Sequence, residues 1–191
     1  MEKAQAREHI KRAVSALSPC ERARKSEHIK DALLQLPEFA GAKVVMLFAS
    51  MPDEVDTLPI ISAALEAGKT VVLPKVLSRA KEMITCPIAD LDKDTCAGVY
   101  GILEPTGDTA ADIITIDFCL VPARAFDRLG GRLGRGAGYY DRFMADPAFR
   151  AARCGIAFSV QILDTVPSQP HDLPVHIIVT DDGVIRPDVQ G

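Results

Sequence analysis

Residues 44–49 read Val-Val-Met-Leu-Phe-Ala, an unbroken apolar run. Such a run predicts a short strand buried on both faces, as in a parallel sheet covered by helices. A helical pattern that ends at Gly68 follows it, and residues 70–73 then predict a second strand ending at Pro74. This β-α-β order favours a right-handed crossover between parallel strands. We therefore expect an α/β fold, a single three-layer domain with a mostly parallel central sheet.

The remaining periodicities extend this fold along the chain. Apolar residues at helical spacing predict two helices in the first ~35 residues, separated by the capping box of Ser18 and Glu21. The helix after the first strand is capped near Asp56 or Thr57, and residues 89–112 read as an irregular polar excursion. The turn Asp181-Asp182-Gly183 predicts a carboxyl-terminal hairpin. Further strands are predicted over residues 83–88, 118–121, 155–160, 177–180 and 184–185.

Composition narrows the class of protein. The chain has 191 residues, 48% hydrophobic and 25% charged, which is ordinary for one globular domain spanning 1–191. The net charge of −4 argues against non-specific nucleic-acid binding. Five scattered cysteines without a C-x-x-C pair suggest reduced, mostly buried thiols. No apolar run approaches ~18 residues and no signal-peptide core is evident, so we expect a cytoplasmic monomer without a membrane partner.

Residues 130–142, Gly-Gly-Arg-Leu-Gly-Arg-Gly-Ala-Gly-Tyr-Tyr-Asp-Arg, carry the strongest functional signal. Glycines allow a positive φ and close approach of a ligand, and the two arginines add positive charge. With the helix predicted to begin at Tyr139, the loop is suited to a polyphosphate. It matches neither the P-loop nor the dinucleotide fingerprint, so a flexible surface loop entering a helix remains the alternative.

Several other polar residues have two interpretations each. Asp141 is either a Mg²⁺ ligand or a first-turn acid complementing the helix dipole. Glu54 is either a substrate-orienting carboxylate or a solvated loop acid. Lys3 and Arg7 lie one helical turn apart and either face one anion or form a solvated basic face. The pair His171-Asp172 is either a metal dyad or a surface turn.

Three polar segments are predicted to meet at one cleft. Ligands of open α/β sheets bind beyond the carboxyl ends of the strands. Segments 49–56, 122–141 and 161–172 each follow a predicted strand. The sequence therefore nominates one site rather than several.

Residues 132–141, Arg-Leu-Gly-Arg-Gly-Ala-Gly-Tyr-Tyr-Asp, resemble the signature of the 5-formyltetrahydrofolate cyclo-ligase family. The likeness extends over nearly the whole chain. Lys3 and Arg7 resemble the amino-terminal basic motif, and residues 54–57 resemble the folate-side segment. Residues 100–105 resemble a segment in which an aromatic residue approaches the pterin. The stretch from Gln161 to Asp172 resembles the carboxyl-terminal motif.

The resemblance implies an enzyme that uses ATP and Mg²⁺ to convert 5-formyltetrahydrofolate to 5,10-methenyltetrahydrofolate, ADP and phosphate. It also implies a Rossmann-like α/β/α fold. It implies that Arg132 and Arg135 stabilise charge during catalysis and that Asp141 and Asp172 bind the metal. The implied ATP-binding residues are Lys3, Arg7, Arg132, Leu133, Gly134, Arg135, Gly136, Ala137, Gly138, Tyr139 and Tyr140. The implied folate-binding residues are Ala49, Glu54, Tyr100, Arg135, Gly136, Ala137, Gly138 and Tyr139.

Two other functions fit parts of the sequence. A protein that retains the nucleotide loop and binds folate or ATP without turnover would have the same motifs. An isomerase of phosphorylated sugars could share an α/β architecture, but no general-base motif is assignable and fold alone is a weak argument.

Overall fold

The computed structural model describes residues 2–77, 82–98, 101–169 and 172–188. Its helices are α1 (Lys3–Ser15), α2 (Pro19–Leu34), α3 (Pro37–Gly41), α4 (Leu58–Glu66) and α5 (Tyr139–Met144). The first six strands are β1 (Val44–Met46), β2 (Thr70–Leu77), β3 (Glu82–Ile88), β4 (Thr95–Ala97), β5 (Leu103–Pro105) and β6 (Phe118–Val121). The other six are β7 (Ala125–Asp127), β8 (Arg132–Leu133), β9 (Ala152–Ala157), β10 (Ile162–Leu163), β11 (Ile177–Thr180) and β12 (Gly183–Ile185).

A seven-stranded sheet organises these elements, in the order β12-β11-β9-β6-β1-β2-β3. The five inner strands are parallel, whereas β3 and β12 pair antiparallel at the two edges. The predicted α/β class and mostly parallel sheet are confirmed. The inner strands run in the same direction, with Met46 of β1 beside Val72 of β2 and Cys119 of β6. Their carboxyl ends therefore open at one edge of the sheet.

Side chains of the inner strands alternate between two buried clusters. One cluster contains Val45 and Leu120 with residues of α1, α2, α3 and α4, such as Ile10. The other contains Met46 and residues that include Met144 of α5. Period-two alternation along a strand buried on both faces produces this division. No helix in the described ranges is long and apolar enough to cross a membrane.

Two predicted strands differ in length from the structure. The strand predicted over 44–49 ends at Met46, because the chain turns into the next loop, where the Thr57 hydroxyl donates to the Phe48 carbonyl at 2.5 Å. Strand β2 continues past Pro74 to Leu77. Its neighbour β1 ends beside Val72, so beyond that point β2 pairs only with β3. Proline is tolerated at such an edge because its missing N–H is not needed by a second neighbour.

Other local predictions were also inaccurate. The strand predicted over 155–160 is β9, which begins at Ala152 and ends at Ala157. The excursion over 89–112 contains the two-stranded sheet β4–β5. Arg132 and Leu133 form strand β8, paired with β7, rather than part of a loop. Strands β4, β5 and β8 have only two or three residues, which is too few to show an alternation of polar and apolar side chains in the sequence.

The amino-terminal helices are as predicted. The Ser18 hydroxyl accepts from the Glu21 N–H at 3.2 Å, and the Glu21 carboxylate accepts from the Ser18 N–H at 2.8 Å. This reciprocal capping box begins α2. Gly68, with φ of 73°, follows α4 in the left-handed conformation that commonly ends helices.

A buried ion pair connects α2 to the carboxyl end of β11. Asp181 pairs with Lys25 of α2 and accepts from the Ser159 N–H at 2.6 Å and the Ser159 hydroxyl at 3.1 Å. Burial alone would raise the pKa of Asp181, but the bonds from Lys25 and Ser159 outweigh it and hold that pKa below its ordinary 3.8. The ionised carboxylate thus stabilises the fold.

We expect Asp181→Asn to lower the free energy of unfolding at neutral pH by about 1–3 kcal/mol, because charge-assisted bonds weaken. The folded-state pKa is depressed, so this contribution is complete above 3.8 and is lost as pH falls through the folded-state value. Urea unfolding across pH checks this: the gap between wild type and variant should close in acid. Asp182→Asn, an exposed neighbour, is the control and should show no gap at either pH.

Candidate active site

Three polar segments meet beyond the carboxyl ends of β1 and β6, as the sequence predicted. The 50–57 loop contacts the glycine-rich loop through Glu54 and Arg135. The segment after β10 contacts the start of α5, where the Leu173 N–H donates to Asp141 at 3.3 Å. Helix α1 reaches the same place, because Arg7 Nε donates to the Gly134 carbonyl at 2.9 Å. Residues far apart in sequence therefore surround one cleft.

Arg132 is the most buried cation of this cleft. Its side chain is 4% exposed, pairs through Nη2 with Asp141 Oδ1, and donates from Nε to the Leu173 carbonyl at 3.3 Å. Burying a guanidinium is costly unless it is paired and hydrogen-bonded. The Asp141 carboxylate supplies that pairing across the loop that joins β8 to α5. The Arg132 guanidinium and the Asp141 carboxylate therefore fix each other's orientation.

Arg135 extends from the glycine-rich loop towards the 50–57 loop. Its Nη2 lies 2.6 Å from Glu54 Oε1 and 3.6 Å from Asp53 Oδ1. Glu54 Oε2 accepts from the Met51 N–H at 2.9 Å, which fixes the carboxylate against its own loop. Arg135 is 38% exposed at its side chain, so an incoming anion can reach it.

Lys3 of α1 pairs with the carboxyl-terminal segment. Its Nζ lies 2.6 Å from Asp172 Oδ2, and the Gln169 N–H donates to the same oxygen at 2.7 Å. Leu173, the residue after Asp172, donates to Asp141, so the segment that carries Asp172 contacts the start of α5. His171 was named with Asp172 as a metal dyad, but it lies outside the described residues.

A fourth ion pair was missed by sequence reasoning. Arg124, between β6 and β7, pairs with Asp53, and the buried Gln161 donates to the Arg124 carbonyl at 2.8 Å. Burial opposes ionisation of Asp53, yet the neighbouring Arg124 and Arg135 lower its pKa. No motif marks Arg124 or Asp53, because an isolated arginine and a loop aspartate are ordinary surface residues.

These four ion pairs form what we call the charge array. Each pair joins a cation to a carboxylate, and the pairs are linked by the contacts of Arg135 with both Asp53 and Glu54 and by that of Leu173 with Asp141. Oxygen acceptors and cation donors are thus already oriented by these contacts. The array consists of Lys3–Asp172, Arg132–Asp141, Arg135–Glu54 and Arg124–Asp53.

The glycine-rich loop needs glycine at two positions for conformation. Gly136 has φ of 106° and Gly138 has φ of 68°, both in the left-handed region. Gly138 directly precedes α5, and Ala137 lies exposed between the two glycines. A Cβ at Gly136 would lie 3.5 Å from Arg7 Nη2, so the loop also runs close to α1.

The two tyrosines that begin α5 lie in different environments. The guanidinium of Arg142 lies 5.0 Å from the centre of the Tyr139 ring. The Tyr140 hydroxyl is buried, and no protein group in the described ranges is within hydrogen-bonding distance of it. Burial raises the pKa of Tyr140, so its phenol stays protonated. Ala49 is 8% exposed just after β1, whereas Tyr100 lies outside the described residues.

Thiols offer no nucleophile at the site. Cys119 lies on β6 with its sulfur 3.5 Å from the Met46 sulfur, and burial raises its pKa to about 12. Cys154 is also buried, with a raised pKa. All five cysteines are free thiols. The expectation of buried thiols holds for Cys86, Cys119 and Cys154, while Cys20 and Cys96 are exposed.

No group of three or more metal-ligating side chains occurs within the described ranges. Asp141 accepts from the N–H of Leu173, the residue that follows Asp172, so two carboxylates come from chain segments that are in contact. Mg²⁺ keeps several waters and is commonly bound by one or two carboxylates together with substrate phosphates. The donor set therefore fits a metal that arrives with a phosphate ligand.

Comparisons with known proteins agree on one family. The model of the 5-formyltetrahydrofolate cyclo-ligase family matches residues 1–181. A mitochondrial 5-formyltetrahydrofolate cyclo-ligase of Arabidopsis thaliana is 31% identical, over 94% of this chain and 74% of the relative. The Escherichia coli K12 5-formyltetrahydrofolate cyclo-ligase is 26% identical, over 90% of this chain and 96% of the relative. The solved 5,10-methenyltetrahydrofolate synthetase of Aquifex aeolicus has a TM-score of 0.86 and 33% identity, over 100% of this chain and 95% of that chain.

Proposed function

We propose the roles of these residues from one premise: the chain belongs to the 5-formyltetrahydrofolate cyclo-ligase family. It is an enzyme of folate one-carbon metabolism that forms 5,10-methenyltetrahydrofolate from 5-formyltetrahydrofolate with ATP. The observation that supports the residue roles is the charge array, in which cations and carboxylates from distant parts of the chain are paired. The following assignments are our proposals for this chain.

The chemistry requires activation of an oxygen that cannot leave unaided. The formyl oxygen of 5-formyltetrahydrofolate attacks the γ-phosphorus of ATP, and the bond to ADP breaks. N10 then attacks the activated formyl carbon and loses its proton, and the C–O bond breaks to release phosphate. Phosphoryl transfer depends mainly on alignment and charge stabilisation, so no covalent nucleophile of the protein is needed.

We assign Arg132 and Arg135 to charge stabilisation in this transfer. Arg132 is held rigidly by Asp141 and the Leu173 carbonyl, which makes it a preorganised donor. Arg135 is more exposed and can exchange Glu54 for a phosphate oxygen. The other ATP-binding residues that we propose are Lys3, Arg7, Leu133, Gly134, Gly136, Ala137, Gly138, Tyr139 and Tyr140.

We propose that Asp141 and Asp172 hold Mg²⁺ when the nucleotide is bound. Their carboxylate oxygens are ligands of the kind this cation prefers, and the Leu173–Asp141 bond keeps their segments together. Bound there, Mg²⁺ would neutralise phosphate charge and orient the phosphoryl group. Lys3, which now pairs with Asp172, is then available to a phosphate oxygen.

The folate half of the cleft is proposed to lie beside Glu54. A carboxylate accepts from the ring N–H groups of a pterin, and Glu54 is fixed for this by the Met51 N–H. Ala49 and Tyr139 are proposed to contact the folate, as is Tyr100, whose structure is not described. Residues Arg135 to Gly138 border both halves, as a γ-phosphate adjacent to a formyl oxygen requires.

The finer features of the molecule are inferences of the same kind. We infer a single three-layer, Rossmann-like α/β/α domain over 1–191 with a carboxyl-terminal hairpin, supported by the two buried clusters and by the antiparallel pairing of β11 with β12. A cytoplasmic monomer without nucleic-acid or membrane partners is also proposed. Five free cysteines and a net charge of −4 support it.

One assay tests the whole proposal. ATP, Mg²⁺ and 5-formyltetrahydrofolate together should produce the near-ultraviolet absorbance of the methenyl product with equimolar ADP. Omitting either ATP or Mg²⁺ should abolish it. Tight calorimetric binding of both substrates without ADP release would instead identify a non-catalytic binding protein.

We expect Glu54→Gln to raise the KM for 5-formyltetrahydrofolate roughly tenfold and the KM for ATP much less, because one charge-assisted bond to the pterin becomes a neutral one. Steady-state kinetics with each substrate varied in turn checks this. Glu66→Gln, an exposed carboxylate at the end of α4, is the matched control. A larger effect on ATP than on folate would mean that the two halves are assigned the wrong way round.

A further inference from the structure

Asp127, at the end of β7, is a buried carboxylate that accepts hydrogen bonds from three backbone N–H groups. It is 4% exposed. Its Oδ1 accepts from the N–H groups of Leu129 at 3.0 Å and Gly131 at 2.9 Å, and its Oδ2 accepts from the Val166 N–H at 2.8 Å. It forms no ion pair within the part of the chain that the structure describes. Its role is therefore to hold backbone rather than to neutralise a cation.

The segments that Asp127 joins lead to two different residues of the charge array. Gly131 immediately precedes Arg132, and Val166 begins the stretch that leads to Asp172. The pairing of β10 with β7 ends at Leu163, so the bond to Val166 extends the connection beyond the sheet. Asp127, Arg132, Val166 and Asp172 line one cavity of about 300 Å³. The Asp127 carboxylate is thus one of the contacts that join the two walls of that cavity, together with the bond from Arg132 to the Leu173 carbonyl.

The Asp127 carboxylate occupies the space that a side chain at position 131 would need. A Cβ added at Gly131 would lie 2.6 Å from Asp127 Oδ2 and 3.0 Å from both Cγ and Oδ1. The backbone of Gly131 is not in the left-handed region, so an alanine there would require the carboxylate to shift and would meet no conformational strain. Asp127 and Gly131 therefore form a unit in which each limits the other.

We propose that Asp127 is a positioning residue for nucleotide binding: it sets Arg132 and Asp172 at the separation that a magnesium nucleotide spans. The inference rests on the proposed site residues. Asp127 itself has its carboxylate turned to backbone N–H groups, so it acts through those two residues and not on the substrate. Its influence falls on the nucleotide half of the cleft, because the 50–57 loop that carries Glu54 is held by its own bonds, from Met51 N–H to Glu54 and between Ser50 and Thr57.

The test uses Asp127→Asn and Asp127→Ala, with Mg-ADP affinity measured by calorimetry and KM measured for each substrate. We expect Mg-ADP affinity to fall roughly tenfold and the KM for ATP to rise in parallel, since a supporting bond to the binding residues is lost. The KM for 5-formyltetrahydrofolate should stay within about twofold of wild type, because the substitution does not alter the contacts proposed to bind folate. A merely structural residue would lower thermal stability without separating the two KM values.

Asp117→Ala is the matched control. The Asp117 carboxylate also holds backbone, accepting from the N–H groups of Lys43 at 2.8 Å and Val44 at 2.9 Å. It lies at the amino end of β1, opposite the edge where the cleft opens. Its removal should lower the melting temperature and leave Mg-ADP affinity unchanged.

Gly131→Ala provides a second, independent disturbance that leaves Asp127 in the chain. Alone, it should displace the carboxylate and weaken Mg-ADP binding as Asp127→Ala does. In the Asp127→Ala background the three Asp127 atoms that a Cβ at Gly131 would approach are absent. Adding Gly131→Ala to that background should therefore cause no further loss of Mg-ADP affinity. Additive losses, or variants with wild-type Mg-ADP affinity and a normal KM for ATP, would overturn the positioning role alone. A wild-type protein that binds no Mg-ADP would overturn the nucleotide site itself.

Discussion

Arg135→Ala is expected to lower kcat by about 10²–10³-fold, the usual cost of removing one donor that stabilises charge in a transition state. The guanidinium is partly exposed on the glycine-rich loop, and its present partner is Glu54, the residue that we propose for folate binding. On that proposal, Arg135 is the cation that lies between the two substrates. Arg135→Lys should recover part of the loss, because an ammonium keeps the charge but not the planar fork.

Steady-state kinetics with both substrates saturating measures this effect, with circular dichroism to verify folding. Arg128→Ala removes an exposed arginine from the β7–β8 turn and should leave kcat unchanged. If Arg135→Ala raised only the KM for ATP at constant kcat, the residue would contribute ground-state binding and not transition-state stabilisation.

Asp141→Asn is expected to lower kcat/KM for Mg-ATP by about 10–100-fold, because a neutral amide is a poor ligand for a hard cation. The Mg²⁺ concentration needed for half-maximal rate should rise as well. The variant should fold, but with a free energy of unfolding lower by about 1–3 kcal/mol, since Arg132 is almost fully buried against this carboxylate.

Titration of activity with Mg²⁺ at saturating ATP checks the assignment, and Asp164→Asn, which alters an exposed carboxylate of the neighbouring segment, is the control. Equal turnover of Asp141→Asn and wild type at limiting Mg²⁺ would contradict a metal-binding role. If the variant lost stability but needed the same Mg²⁺ concentration as wild type, the role of Asp141 would be limited to pairing with Arg132.

Much of the sheet was predictable because its signal is local. An unbroken apolar run at 44–49 or 118–121 is what burial on both faces requires, and Pro122 directly follows the end of β6. The glycine-rich loop and Glu54 were predicted by residue type and by their positions after strands. The convergence of three polar segments then followed from parallel topology alone.

What could not be predicted depends on contacts between distant residues. Nothing near Asp127 reveals that it will accept from Val166, a residue 39 positions away. The pairing of Arg124 with Asp53 likewise needs the two loops to be adjacent. Strand β2 continues past Pro74 only because β1 ends early, which is a property of the neighbouring strand and not of proline.

The charge array also has a consequence for how the nucleotide arrives. Its four cations and four carboxylates sum to a formal charge of zero, in a protein whose net charge is −4. Long-range attraction therefore contributes little to the approach of an anion, and added salt, which screens only such distant fields, should scarcely slow encounter. On the proposed assignments, Mg-ATP would bind by a short-range exchange of partners. ATP without Mg²⁺ would be disfavoured, because its phosphates would face the carboxylates of Asp141 and Asp172.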